Sequence, residues 1–523
     1  MSQNSKIEKS YDELTYKSIA FAQSSPYRLE ACATLLGITP PPCENARVLE
    51  IGCSFGGNLI PFAVNNKNAK VVGIDLSGEQ IRRGQEIVKE MGLTNLELIH
   101  GDICEFKSDE KFDYIIAHGV FSWVPDFVKE AILKVVRENL SANGVAFISY
   151  NVYPGWKVKD IVRDIMLLAA KDKESMQERL KAAKEALLVY KEYLLTRNEE
   201  IYEGKIPLKM LLFVTEHVLS KDDFYIAHEF LEYTNDPFYF KDFNAMLAKN
   251  ELTYLCEYTL DDIFTPDVGT AVVDEYKNNK FKDRIDLEQF MDMISNKVFR
   301  QSLIVHSKTY ESIANKQIGP SDINKIHVVA DFIKKDNQWQ DSYGAMPQDI
   351  SWLCEVFYKM YPASINLSQI LEILPEDKLM VYSAFVRILT NSSDAMILKD
   401  EQKNIEYRPG YSRLSQNLIN YVRYFLNHKN NADVVFANKF SISRKLNNID
   451  YYILLLLDGK NSLEDVAAKT LKFIKENNED IFDEDIFDIN GKVLKKDKVA
   501  ANIMSYVLGT AKIASLLYLL EEI

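Results

Sequence analysis

Cysteine is scarce and scattered: the six residues Cys32, Cys43, Cys53, Cys104, Cys256 and Cys354 form no Cys-x-x-Cys pair, and no histidine stands at ligand spacing. That excludes a zinc ribbon or a disulfide framework as the organising element, so the thiols read as reduced structural groups and no metal is expected. There is no run of 18 apolar residues, so no stable membrane insertion is expected. The opening stretch Met1–Ser10 lacks the apolar core of a signal peptide, which makes a cytoplasmic location the expectation. Basic charge is also in deficit. With 62 Lys and Arg against 76 Asp and Glu, the formal net charge is −14. Phosphate-binding faces depend on clustered Lys and Arg, so nucleic acid is not an expected partner, and a basic substrate suits the chain better. No internal repeat or low-complexity tract is present.

What the chain does have is length and ordinary globular chemistry: 523 residues, 47% hydrophobic and 26% charged. Two to four compact units are expected. The first third alternates short β-branched strands with helical stretches. Arg47–Ile51 runs into a glycine turn and then the apolar stretch Leu59–Val64. Lys70–Ile74 closes on Asp75, and Ser77 is placed to cap a helix whose Ile81, Ile87, Val88 and Met91 fall near helical spacing. Asn95–Ile99 ends at His100-Gly101-Asp102, Phe112–Ile116 runs into Ala117-His118-Gly119, and a helix around Phe127–Asn139 leads to the strand Val145–Ser149. This alternation predicts an α/β fold built on a doubly wound parallel sheet, whose ligand lies beyond the carboxyl ends of the strands.

The spacing of the glycines bears on the ligand. A dinucleotide turn needs Gly-x-Gly-x-x-Gly, and here Ser54 takes the middle position. Glu50-Ile-Gly52-Cys-Ser-Phe-Gly56 instead resembles the Glu-x-Gly-x-x-x-Gly turn of class I methyltransferases, which lies under the methionine arm of S-adenosylmethionine. Asp75, at the end of the second strand, is placed to accept both ribose hydroxyls, and Asp102, after the third, to meet the adenine amino group. Taken singly, each has a plainer reading: the glycines as a tight turn, the aspartates as loop or helix-cap carboxylates. Their joint placement at three successive strand ends favours the cofactor.

Longer blocks extend the resemblance. They are Tyr11-Asp12 through Tyr16 to Ser25-Pro26, Ala31–Gly37, Ala117-His-Gly-Val-Phe-Ser-Trp-Val-Pro125, Ser149-Tyr-Asn-Val-Tyr-Pro-Gly-Trp156, His228-Glu229, Asn235–Phe240 and Phe299–Leu303. Together they resemble bacterial class I methyltransferases with a methyltransferase regulatory domain, among them the outer-membrane-protein lysine methyltransferases. The resemblance covers at least the first 305 residues. It implies a seven-stranded Rossmann-like domain over 1–160 and 236–308, with Leu252–Tyr258 and Lys297–Val305 as the last two strands. An N-terminal lid helix would occupy 5–37. A helical insertion over 161–235 would include the amphipathic run Lys171–Glu199, with Leu180, Ala183, Leu187 and Tyr190 on one face. That run either covers its own domain or, as the resemblance suggests, forms a homodimer contact. A middle, regulatory domain over 309–428 would precede a winged-helix-like C-terminal domain over 429–523. The apolar stretches Trp352–Tyr361 and Leu379–Leu389 fall in the first, and Phe436–Leu457 in the second. Without a basic recognition helix, the last domain is expected to contact protein.

The resemblance implies that the cofactor touches Tyr11, Tyr16, Glu50, Gly52, Cys53, Gly56, Asn58, Asp75, Leu76, Asp102, Ile103 and His118. The two tyrosines either close as a lid or pack on the domain, and His118 either packs beside the cofactor or accepts a proton. Enzymes that methylate nucleobase or glutamine amides usually carry Asn/Asp-Pro-Pro-Tyr/Phe after the fourth strand; Ala117-His118-Gly119-Val120 disfavours that class. Beyond the fifth strand, Tyr153 and Trp156 are expected to wall an amine through their ring faces, with Asn151 or Tyr150 orienting it. The alternative is that these aromatics are core. The expected activity is protein-lysine N-methylation, with a protein as partner. A small-molecule or lipid-precursor methyltransferase, and a non-catalytic S-adenosylmethionine-binding regulator, remain as alternatives.

Overall fold

The computed structural model describes residues 17–196, 208–264, 271–313, 318–374, 377–392, 394–428, 431–477, 486–487, 493–494 and 502–523. One seven-stranded sheet is built from β1 (Arg47–Ile51), β2 (Lys70–Asp75), β3 (Leu96–His100), β4 (Phe112–Ala117), β5 (Leu140–Asn151), β6 (Leu252–Glu257) and β7 (Phe299–His306). Their spatial order is β3-β2-β1-β4-β5-β7-β6. β1 to β5 run parallel, and β7 is antiparallel to both β5 and β6. The order reverses between β1 and β4, which opens a crevice beyond their carboxyl ends.

Successive strand residues point to opposite faces, and both faces are dry. Val48, Val71, Tyr114, Ile116, Val145 and Phe147 share one apolar cluster with the helices Pro26–Leu35, Leu59–Asn65 and Gly78–Glu90. Leu49, Ile51, Ile74, Ile115, Ala146 and Ile148 face the other way, onto the helices Asp126–Asn139 and Phe240–Lys249. The expected Ser77 cap is present: its hydroxyl accepts the amide of Gln80 at 3.2 Å. β7 carries Arg300, which is 2% exposed and bonds Asp292, Glu288 and Glu257 at 2.8–3.0 Å. An arginine cannot shed its charge, so its burial requires these carboxylates.

The insertion is helical, with Trp156–Ala170, Met176–Leu195, Leu208–Leu219 and Asp223–Phe230 closing over their own core of Val162, Met166, Leu180, Ala183, Leu187 and Phe230. A reciprocal Ser175–Glu178 capping box starts the second helix. Farther on, the expected apolar stretches fall in the helices Ser351–Met360 and Lys378–Asn391. Of Phe436–Leu457, only the end is helical, as Asn448–Leu456. The C-terminal elements do not stand apart from the sheet: its first apolar face continues without a break into Leu353, Phe357, Phe385, Tyr421, Phe425 and Ile453. Polar ties cross the same boundary. Lys399 pairs with the buried Glu30 at 2.8 Å, and the Arg28 guanidinium donates to the carbonyls of Tyr258 and Ala395. Among the described residues, no helix is long and apolar enough to cross a membrane.

Candidate active site

A cleft of about 230 Å³ opens where β1, β2, β3 and β4 end. Its floor is the turn after β1. The amides of Gly52 and Cys53 both donate to the Ile74 carbonyl, which ties the turn to β2. Gly52 has φ +76°, and a Cβ there would lie 2.4 Å from Val120 Cγ2, so both the backbone and the space require glycine. Asp75 knits the first turn to the second: one carboxylate oxygen accepts the Ser54 amide at 2.8 Å and the other the Ser77 amide at 2.9 Å. Asp102 accepts the Cys104 amide at 2.9 Å and so caps the short helical turn Ile103–Glu105. Leu76, Ile103, Val120, Val124 and Val128 supply apolar walls of a slot suited to a flat ring.

Behind the turn lies a buried polar chain. Asn58 donates to Glu50 Oε1 at 2.7 Å and to Ser24 Oγ, while its own carbonyl oxygen accepts the Phe21 amide at 2.9 Å. Glu50 Oε2 is enclosed with no hydrogen-bond partner among the described residues. Burial pushes the Glu50 carboxyl up to about 8, against the Asn58 hydrogen bond and with a smaller push from Asp75. An enclosed carboxylate oxygen lacking a donor fits a ligand ammonium, and Asp75 beside the slot fits a ribose diol; these residues therefore suit S-adenosylmethionine.

Phe21 closes the cleft from above and is carried by a strap tied at both ends. The Ser18 hydroxyl accepts the Gly57 amide at 3.2 Å, and a Cβ on Gly57 would stand 2.5 Å from the Ser18 carbonyl oxygen. On its outer side Ser18 pairs with the C-terminal region: its amide donates to the Asp433 carbonyl at 2.7 Å, and its carbonyl accepts from Val435 at 3.1 Å. The Asp433 carboxylate in turn bonds Arg83, on the helix that follows the Asp75 turn.

Of the expected cofactor residues, the structure brings Gly52, Asp75, Leu76, Asp102, Ile103 and His118 together as cleft lining. Glu50, Cys53, Gly56 and Asn58 belong to the buried layer behind the turn. The Cys53 thiol is pushed up by burial and packs against Gly73. Tyr11 and Tyr16 lie outside the described residues. The four residues expected at the substrate amine are dispersed. β5 is an interior strand, and Tyr150 points into its covered face, stacked on Phe243 at 4.0 Å with its hydroxyl 3.1 Å from Ser302 Oγ. Trp156 is fully buried between Trp123 and Phe230. Asn151 is buried, with its side chain donating to Asn235 at 3.0 Å. Only Tyr153 reaches the surface. Its hydroxyl donates to Asp160 at 3.2 Å, and burial followed by Asp160 pushes it up to about 12. Tyr239 lies 5.6 Å from Tyr153, and the Lys157 ammonium stands over both rings at 5.5 and 5.3 Å.

Sequence reasoning passed over Phe21 and the wall Trp123-Val124-Pro125. The conspicuous Phe121-Ser-Trp-Val-Pro125 block was the available signal for the wall, whereas the block from Tyr16 to Ser25-Pro26 spans Phe21 without singling it out.

Two family models match: a methyltransferase domain over residues 43–206 and a predicted methyltransferase regulatory domain over 222–306, which takes in β6 and β7. An uncharacterised protein of Rickettsia prowazekii is 34% identical over 248 residues, 47% of this chain and 96% of that protein. A second from the same organism is 38% identical over 62% of this chain, but the alignment spans only 57% of that protein's length. Among solved structures, PKMT2 from Rickettsia typhi superposes with a TM-score of 0.77 at 25% identity, covering 97% of this chain and 100% of that one. Its complex with AdoHcy gives 0.76 at 24% identity, over 97% and 99%. Taken with the turn, the strand order and the cleft, these matches show that the chain belongs to the class I S-adenosylmethionine-dependent methyltransferases that carry a methyltransferase regulatory domain.

Proposed function

We propose that the chain is a protein-lysine N-methyltransferase that uses S-adenosylmethionine. The observation that carries this reading is the extent of the likeness to PKMT2, a Rickettsia protein lysine methyltransferase, which includes the insertion and the C-terminal region as well as the catalytic sheet. The sequence after β4 agrees, since His118-Gly119-Val120 offers no amide-binding Asn-Pro-Pro motif.

S-adenosylmethionine supplies an electrophilic methyl group on a sulfonium that departs as a neutral thioether. The protein's part is to bind, orient and exclude water. In this reading Asp75 holds the ribose hydroxyls, Asp102 the adenine amino group and Glu50 the amino-acid end, through the enclosed oxygen behind the turn. Phe21 and Trp123 shield the cleft. A lysine amine, with a reference pKa of about 10.4, attacks only when neutral, and apolar walls disfavour its charged form. Tyr153 and Tyr239, whose rings lie 5.5 and 5.3 Å from the Lys157 ammonium, present aromatic faces of the kind that attract such a group.

Incubation with methyl-labelled S-adenosylmethionine and protein fractions, followed by peptide mass spectrometry, tests the reading: label is expected on lysine side chains. Label confined to small molecules would overturn it. The homodimer is proposed along the insertion helix Met176–Leu195, where Leu188, Val189 and Tyr193 are exposed, and sedimentation velocity reads it directly.

A further inference from the structure

In the β1–β4 ladder Glu50 pairs with Ile116, so two residues further on Gly52 and His118 stand side by side at the carboxyl edge of the sheet. Asp75 and Asp102 end the strands on the other side of β1. His118 therefore borders the end of the cleft over the glycine turn, away from Asp102. Its ring is walled by three others: Phe21 at 4.1 Å, Phe147 at 5.8 Å and Phe299 at 6.4 Å between centroids. The amide of the next residue, Gly119, donates to Ser149 Oγ at 2.9 Å, which fixes the backbone that carries the ring.

A structural histidine is ordinarily held by its hydrogen bonds, yet His118 Nδ1 is enclosed with no partner among the described residues. Burial, with no charged neighbour contributing, pushes this imidazole down to about 4, so at neutral pH it is an uncharged ring lining the cleft. Its neutrality matters: an imidazolium here would oppose both a sulfonium and an incoming ammonium, whereas the neutral tautomer with its proton on the enclosed Nδ1 leaves Nε2 as the acceptor.

We propose that His118 is a catalytic residue, whose neutral ring accepts a hydrogen bond from an N–H of the acceptor amine and thereby aims the amine lone pair along the transfer axis. This rests on the lysine reading for the chemistry of the acceptor. An amine has one lone pair, so pinning one N–H restricts where that pair points. The contact transfers no proton; the lysine ammonium gives up its proton to solvent before attack.

The test uses the full chain with His118→Phe, which keeps an aromatic ring and removes the acceptor, and His118→Gln, which keeps an acceptor. Because His118 lines the cofactor cleft, calorimetry with AdoHcy is run on both variants, and any loss of affinity is expected to be much smaller than the loss of kcat. With a lysine peptide, kcat of His118→Phe should fall about 100-fold at little-changed KM, and His118→Gln should recover part of it. In AdoHcy-saturated protein, ¹⁵N-histidine spectra should show His118 neutral at pH 7, with one ring nitrogen shifting on addition of n-butylamine. Wild-type kcat in His118→Phe, a loss of AdoHcy affinity that matches the loss of kcat, or a protonated His118 at pH 7 would each overturn the proposal. If the wild-type chain labels only non-lysine acceptors, the lysine reading fails, and His118 is then judged by the same kcat ratio on that acceptor.

Discussion

The backbone amide of Ser18 donates to the carbonyl of Asp433 at 2.7 Å, which joins the strap carrying Phe21 to the C-terminal part of the chain. The roof of the cleft is therefore held from both sides, by Asn58 at the start of the helix Leu59–Asn65 and by Asp433 and Val435 in the C-terminal region.

Loosening the outer tie should weaken cofactor binding more than it weakens the fold. Asp433→Ala removes the Arg83 pair, whose side chains are 31% and 26% exposed, so the loss of stability should be about 1 kcal/mol or less. Val435→Pro removes the N–H that donates to Ser18. Both variants are expected to bind AdoHcy roughly 3- to 10-fold more weakly, because the strap carrying Phe21 loses an anchor. Calorimetry beside thermal melts reads the two effects apart; unchanged affinity would detach the strap from the cleft.

Asp75→Ala should remove two functions together. The Ser54 and Ser77 amides lose their acceptor, at about 1–3 kcal/mol for each amide left unsatisfied, and the slot loses its carboxylate. AdoHcy affinity is expected to drop at least about 100-fold, equivalent to two hydrogen bonds to a charged acceptor. Circular dichroism should still show a folded chain, and Asp75→Asn should be intermediate. Wild-type affinity in the alanine variant would remove the ribose assignment.

Glu50 sets a pH dependence of defined sign. Its carboxyl sits at about 8 in the folded chain against an ordinary value of 4.5, so between those values the folded form holds the extra proton. Its contribution to stability is then complete below about 4.5 and is lost as pH rises through about 8. Glu50→Gln should flatten the melting temperature across this window. A cation bound at Oε2 would pull the carboxyl down, so AdoHcy binding near pH 7 should release protons, read as a dependence of the binding heat on buffer ionisation. Glu50→Gln should abolish that dependence.

Tyr150 and Trp156 should act on stability, and Tyr153 on substrate. Tyr150→Phe loses a buried hydroxyl contact worth about 1 kcal/mol, and Trp156→Ala should cost about 3–5 kcal/mol through the cavity it leaves. For Tyr150→Phe, kcat per folded molecule should stay near wild type. Tyr153→Leu, which removes the ring face, should raise KM for a lysine peptide while lowering the melting temperature less than Trp156→Ala does. The reverse pattern would return Tyr150 to the chemistry.

The sequence by itself determined what local chemistry decides: the strand, glycine-turn, helix alternation, the Ser77 cap, and the carboxylates of Asp75 and Asp102 at strand ends. Each depends on neighbours a few residues away, so each could be read along the chain. Strands β6 and β7, far from the others in sequence, came through the family blocks. Which aromatic rings face the cleft was a tertiary decision. Tyr150 and Trp156 are as aromatic in sequence as Phe21 and Trp123, but their exposure is set by helices such as Phe240–Lys249, contributed from elsewhere in the chain. Tertiary contact also decided the unpartnered Glu50 oxygen, the ring-walled His118 and the bond from Ser18 to Asp433, because hydrogen bonding and burial depend on which distant surfaces meet.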